Sequence, residues 1–194
     1  MPSPRLLLAA VLSIALSGCV SLGPKVPATL ITITPDAVAP AGTTASGKLA
    51  DALIVSEPET DRRLAVQRVA VQIDTTNVAY LKDAMFVERP SRLFRNLLVE
   101  TLRAKGGRLV FDDTQTVANN GVRLSGQLRE FGYDAASAAV LVRYDAMQER
   151  VGGTVTTRRF EASVPVAKAE AELIGPALNE AANKVAKDVA DWVG

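Results

Sequence analysis

The chain has 194 residues, with 22 Lys and Arg against 21 Asp and Glu, no His and one Cys. A formal charge of +1 gives no basic field for gripping a phosphate backbone, which excludes nucleic acid as a partner class. Without His and with a single Cys, the chain cannot build a His/Cys zinc site, a His-based triad or an internal disulfide. What remains is a binding or scaffolding module of one ordinary domain, with 48% apolar residues for its core.

Residues 1–18 read MPSPRLLLAAVLSIALSG: one Arg5, an apolar run from Leu6 to Leu16, then small residues. That is the pattern of a secretory signal, too short for a bilayer span of about 20 apolar residues. Leu16-Ser17-Gly18-Cys19 resembles a bacterial lipobox, in which the thiol is diacylated, the chain is cut before the Cys and the new amine is acylated. The expected product is a lipoprotein whose covalent lipid on Cys19 is its membrane anchor. Each buried CH₂ of acyl chain contributes roughly 0.8 kcal/mol, so three chains hold permanently. Val20 and Ser21 follow, not the Asp that commonly retains lipoproteins at the inner membrane. The expected location is therefore the outer membrane, facing the periplasm.

Residues 19–47 carry Pro24, Pro27, Pro35 and Pro40 and a run of small residues from Gly42 to Gly47, which predicts a flexible tether. Within it, the segment from Ala28 to Thr34, rich in β-branched residues, can add an edge strand to the domain. The folded domain is expected over residues 48–194. Ala52–Val55 is a short strand, and Arg68–Ile73 is a second, with Val69, Val71 and Ile73 on one side. After an Asp74–Asn77 turn, Tyr80-Leu81 and Ala84–Val87 form a further strand or bent ribbon. Pro90 opens a helix whose apolar stripe is Leu93, Phe94, Leu97, Leu98, Thr101 and Leu102, with Arg92, Arg95, Asn96 and Arg103 elsewhere. Gly106-Gly107 ends it.

Arg108–Phe111 returns as a strand. Val122, Leu124, Gly126 and Leu128 share one side of the next, and Phe131 and Tyr133 fall out of phase, which predicts a bulge near Arg129-Glu130. Two more strands, around Ala139–Tyr144 and Thr154–Val166, complete an antiparallel meander. A last amphipathic helix is expected from about Pro176 to Val193, with Trp192 sealing its end against the sheet. The fold class is α+β: a mostly antiparallel twisted sheet with two amphipathic helices on one face.

The carboxylates Asp112-Asp113 follow a strand and precede a turn, where solvated or turn-capping acids are common, and Asp134, Asp145 and Glu149 sit around the meander. With no nucleophile elbow and no His base, the expectation is no enzyme, no metal and no cofactor beyond the lipid. The segment Tyr80–Arg92 is the candidate partner-binding surface. Tyr80, Leu81, Met85 and Phe86 supply its apolar half, and Arg89 and Arg92 its charge, near a helix start where the dipole does not favour cations.

The order of strand, Tyr80-Leu81, Phe86-Val87-Glu88-Arg89-Pro90, a helix with Leu97-Leu98, a polar meander, Phe160-Glu161-Ala162 and a final amphipathic helix resembles the ABC-type transport auxiliary lipoprotein family. That family often places Trp where this chain has Phe86. The resemblance implies an auxiliary component working with an MCE-type substrate-binding protein and, through it, an ABC permease and ATPase. Such systems move phospholipids or other hydrophobic molecules between membranes. The alternative is a structural lipoprotein that stabilises a partner assembly without touching the transported lipid. A homo-oligomer is open in either case.

Overall fold

Seven strands join in one sheet in the computed structural model, which describes residues 27–115, 121–150 and 152–194. The order along the chain is β1 (Leu53–Val55), β2 (Arg68–Gln72), β3 (Val78–Met85), α1 (Pro90–Lys105), β4 (Val110–Asp112), β5 (Val122–Asp134), β6 (Ala139–Glu149), β7 (Val155–Pro165) and α2 (Ala171–Val193). Cys19 and the expected signal lie outside the described residues.

The long strand β5 organises the sheet. Along one edge it pairs antiparallel with β6 over its whole length, and β6 pairs antiparallel with β7. Its other edge is shared. β1 runs parallel to its start, with Leu53 opposite Val122, and β2 runs parallel to its end, with Ala70 opposite Gly132. β4 extends the sheet parallel to β1, and β3 extends it antiparallel to β2. The sheet is therefore mixed, with the antiparallel meander as its largest part.

Pleating explains which side is buried. On β6, Val140, Val142, Tyr144, Ala146 and Gln148 are buried beneath the helices, while Arg143, Asp145, Met147 and Glu149 alternate onto the other face. The expected bulge is present: Leu128 faces Tyr144 and Glu130 faces Arg143, leaving Arg129 as the extra residue. That insertion returns Phe131 and Tyr133 to the helix side. There Phe131 meets Phe86 and Phe94, at 5.6 and 6.4 Å between ring centroids, and Phe94 meets Tyr144 at 5.2 Å. Trp192 packs on Phe160 at 5.6 Å and closes the far end of α2 against the sheet.

Four expectations are corrected. The Ala28–Thr34 segment contributes a single bridge, Ile31 opposite Phe86, rather than a strand. It is nonetheless held: Asn179 Oδ1 accepts from the Thr34 N–H, and Asn183 accepts from the Asp36 N–H and donates to the Thr34 carbonyl. Ile33 is buried, so the folded body takes in chain upstream of residue 48. Helix α2 begins at Ala171, and Pro176 lies inside its second turn, where it forfeits one intrahelical bond without ending the helix. Ile73 leaves β2 ahead of the hairpin turn and is exposed. Arg95, expected off the apolar stripe, is buried: it binds Asp113 at 2.8 Å and lies 3.8 Å from Glu57, pinning α1 to the ends of β4 and β1. No described helix is long and apolar enough to cross a membrane.

Candidate functional site

The hairpin β2–β3 is closed by Asp74, whose carboxylate accepts from the Thr76 and Asn77 N–H groups and the Asn77 side chain. These bonds pull its acidity to about 2. Past Tyr80, β3 loses register: Ala70 faces Tyr80 but Arg68 faces Met85, so the stretch between them bulges outward. Asp83 takes a positive φ of 54° to allow it. Lys82 stands almost fully in solvent at this bulge, with its side chain 92% exposed.

This geometry splits the six residues expected to share a docking surface. Phe86 is 1% exposed and belongs to the aromatic core against Phe131, because the bulge shifts the strand's phase and puts it on the helix side. Leu81 and Met85 are half-buried. Tyr80 is half-buried on the helix-free side, its hydroxyl donating to the Arg63 carbonyl at 3.3 Å and its ring lying 4.3 Å from the Arg68 guanidinium. Arg89, at the N-cap of α1, is exposed and its side chain meets no described acid. Arg92 reaches Glu88 at 3.3 Å with both side chains in solvent. The surface part of the segment is thus Tyr80, Lys82, Val87, Arg89 and Arg92, with Leu81 and Met85 at its margin.

The helix-free face of the sheet carries a second set of polar groups that sequence patterning did not join. Arg63 binds Glu130 at 2.9 Å, Glu130 lies 3.8 Å from Arg143, and Arg143 pairs with Glu161. Alongside, Asp145 receives Arg159 at 2.6 Å and Arg129 at 3.0 Å. The only sequence signal for these rows is alternation on β6 and β7, which becomes pairing once the register is known. A shallow groove of about 730 Å³ opens beside them, lined in part by Ser125, Gln127, Met147, Glu57, Glu59 and Arg159.

The two arginines, Arg159 first, hold the Asp145 carboxyl at about 2, below its ordinary value of 3.8. The folded state therefore gains from this group above roughly pH 4, and loses that gain as pH falls toward 2 and the carboxyl is protonated. Thermal unfolding measured from pH 5 to pH 2 should fall more steeply for the wild type than for Asp145→Asn; parallel curves would refute the assignment.

Asp112, Asp113 and Asp134 are occupied structurally. Asp112 accepts from the Thr114 N–H and hydroxyl, Asp113 from Arg95 and the Glu57 N–H, and Asp134 from the Ala136 N–H and Ser137. Among the described residues, no group of three His, Cys, Asp or Glu side chains could hold a metal.

Residues 32–190 match the model of the family described as the ABC-type transport auxiliary lipoprotein component. The chain belongs to this family. It is a non-catalytic auxiliary component of an ABC-type transport system. No curated protein matches its sequence. Among solved structures, the crystal structure of protein XCC0632 from Xanthomonas campestris is 16% identical, with a TM-score of 0.71 over 86% of this chain and 94% of that one. A crystal structure titled only as an uncharacterized protein is 15% identical, with a TM-score of 0.64 over 78% of this chain and 97% of that one. At such identities the likeness is one of fold.

Proposed function

We propose that this auxiliary component is an outer-membrane lipoprotein, acylated on Cys19 and facing the periplasm, that docks an MCE-type substrate-binding protein and through it an ABC permease and ATPase. The cargo class is phospholipid or another hydrophobic molecule. The docking surface is the β3–α1 junction, with Tyr80, Leu81, Met85, Arg89 and Arg92 as its contacts and Phe86 as the buried support beneath them. The observation that carries this choice is Arg89: a cation at a helix N-cap, exposed and without a described acidic partner, in the same short β3–α1 segment of the chain as the half-buried Tyr80, Leu81 and Met85. Nothing in the fold's own stability favours a cation there, whereas arginine beside aromatic and apolar groups is the mixture found at interface centres.

The test replaces Arg89 and Arg92 with Glu. Both are surface positions, so stability should change by less than ~0.5 kcal/mol each, and the melting curve should stay in place. Pull-down of the MCE-type protein should drop at least tenfold. Retention of wild-type binding with unchanged folding would remove the junction as the docking site. Phospholipid co-purified with the assembled complex, and lost with the double variant, separates a transport role from pure scaffolding.

A further inference from the structure

Among the described residues the sheet has three outer edges, and two of them are defended. β4 is only three residues long. β3 bulges out of register, and its end is covered by Ile31, whose N–H donates to the Met85 carbonyl and whose carbonyl accepts from the Val87 N–H. Short strands, bulges and covering segments are the usual ways in which an edge avoids pairing with another chain. β7 has none of these. It is 11 residues long, pairs only with β6 among the described residues, keeps unbroken register from Val155 to Pro165, and carries its one proline at the last position.

We propose that β7 pairs antiparallel with β7 of a second copy of this chain, about a two-fold axis at Phe160. The charges on the strand select that register. With Phe160 opposite Phe160 of the other copy, Arg159 lies opposite Glu161, Thr157 opposite Ser163, and Arg158 opposite Ala162. Moving the axis to Arg158, Arg159 or Glu161 sets like charges directly opposite, and moving it to Ala162 leaves every charge unmatched. These are the registers that keep both helix layers on the same side of a continuous sheet. Cross-strand pairs of opposite charge stabilise an antiparallel ladder, and like charges weaken it.

The match extends beyond one pair. Within one copy Glu130, Arg143 and Glu161 already form a row across β5, β6 and β7, and Arg159 and Asp145 form the next. The proposed register runs the first row of one copy into the second row of the other. The result is a ladder of alternating sign: Glu130, Arg143, Glu161, then Arg159 and Asp145 of the second copy. On the helix side, α2 packs over both β6 and β7. Two strand spacings of about 4.8 Å would place the two α2 helices roughly 10 Å apart, a normal packing distance. A cleft of about 450 Å³ already lies along this edge between β7 and α2, lined by Arg158, Asp188, Asp191 and the half-buried Trp192. The second copy would fill it. The β3–α1 junction lies at the opposite edge of the sheet, so the dimer leaves it free, and the inference stands whether or not that junction docks a partner.

The test uses the mature chain with Cys19→Ala, bearing either Thr157→Cys or Ser163→Cys, both at exposed positions. Directly opposed residues in an antiparallel ladder have Cα atoms about 4.5–5.5 Å apart, within disulfide reach. Two copies of the same position would be six residues apart along the strand, about 20 Å. Sedimentation equilibrium should show association in even-numbered assemblies. Mild oxidation should give a cross-linked dimer when the two variants are mixed, and at least tenfold less when either is oxidised alone. A monomer at tens of micromolar, an oligomer without the mixed cross-link, or equal cross-linking within a single variant would each overturn the proposal.

Discussion

Phe94→Ala is expected to cost this fold ~3–5 kcal/mol, the range for truncating a fully buried aromatic residue. Phe94 is 0% exposed, and its ring touches Phe131 of β5 and Tyr144 of β6 edge-on. It is therefore the contact through which α1 grips the centre of the sheet. The hole left by its removal cannot collapse easily, because both neighbours are tied: Phe131 sits behind the Arg129 bulge, and the Tyr144 hydroxyl donates to the Ser125 carbonyl at 2.6 Å. Burial also pushes the Tyr144 phenol up, so no charge forms there at any ordinary pH. Urea unfolding of the two chains checks the value. A change below ~1 kcal/mol would mean that α1 is held chiefly by Arg95 and its carboxylates instead, and Arg95→Ala would then be the larger lesion.

Cys19→Ala, exported behind a signal that is cleaved without lipidation so that residues 1–18 are absent, is expected to abolish membrane attachment while leaving the domain folded. The proposed acylation carries the whole of the attachment, because the mature chain has no basic excess: removing residues 1–18 leaves 21 basic and 21 acidic side chains. A single acyl chain binds a bilayer reversibly, and three do so permanently, so the variant should move almost entirely from the membrane pellet to the soluble fraction. Its melting curve should match the wild type, since among the described residues the first contacts with the body are made at Ile31 and Ile33, twelve or more residues beyond the Cys. Intact mass of the native protein supplies the direct check. An unmodified thiol, or a mature start elsewhere, would end the lipoprotein proposal, and a variant that stayed in the pellet would require another anchor.

Features that depend on near neighbours were legible in the sequence. The stripe from Leu93 to Leu102 marks α1, because helical period alone places those side chains on one face. The phase slip between Leu128 and Phe131 marks the bulge, because a strand has period two and an extra residue must break it. The turn at Gly152-Gly153 closes the β6–β7 hairpin with both glycines at positive φ, and their pairing announces it. The absence of His restricts the chemistry whatever the fold.

Tertiary structure decided everything set by contacts between distant segments. Leu53 finds Val122 and Ala70 finds Gly132 through parallel pairings that no local pattern encodes, since strands of equal apolar character can be ordered in several ways. Arg95 looked like a surface cation because helical phase does not reveal that Asp113 and Glu57 wait above it. Phe86 looked available for a partner because the bulge in β3, which turns it into the core, depends on pairing with Arg68 and Ala70. The charged rows on the helix-free face exist only in register: Arg143 and Glu161 are 18 residues apart in the chain and adjacent in the sheet. Local periodicity thus determined which elements form and which side of each is apolar, while pairing across the sheet determined which polar residues meet and which surfaces remain open.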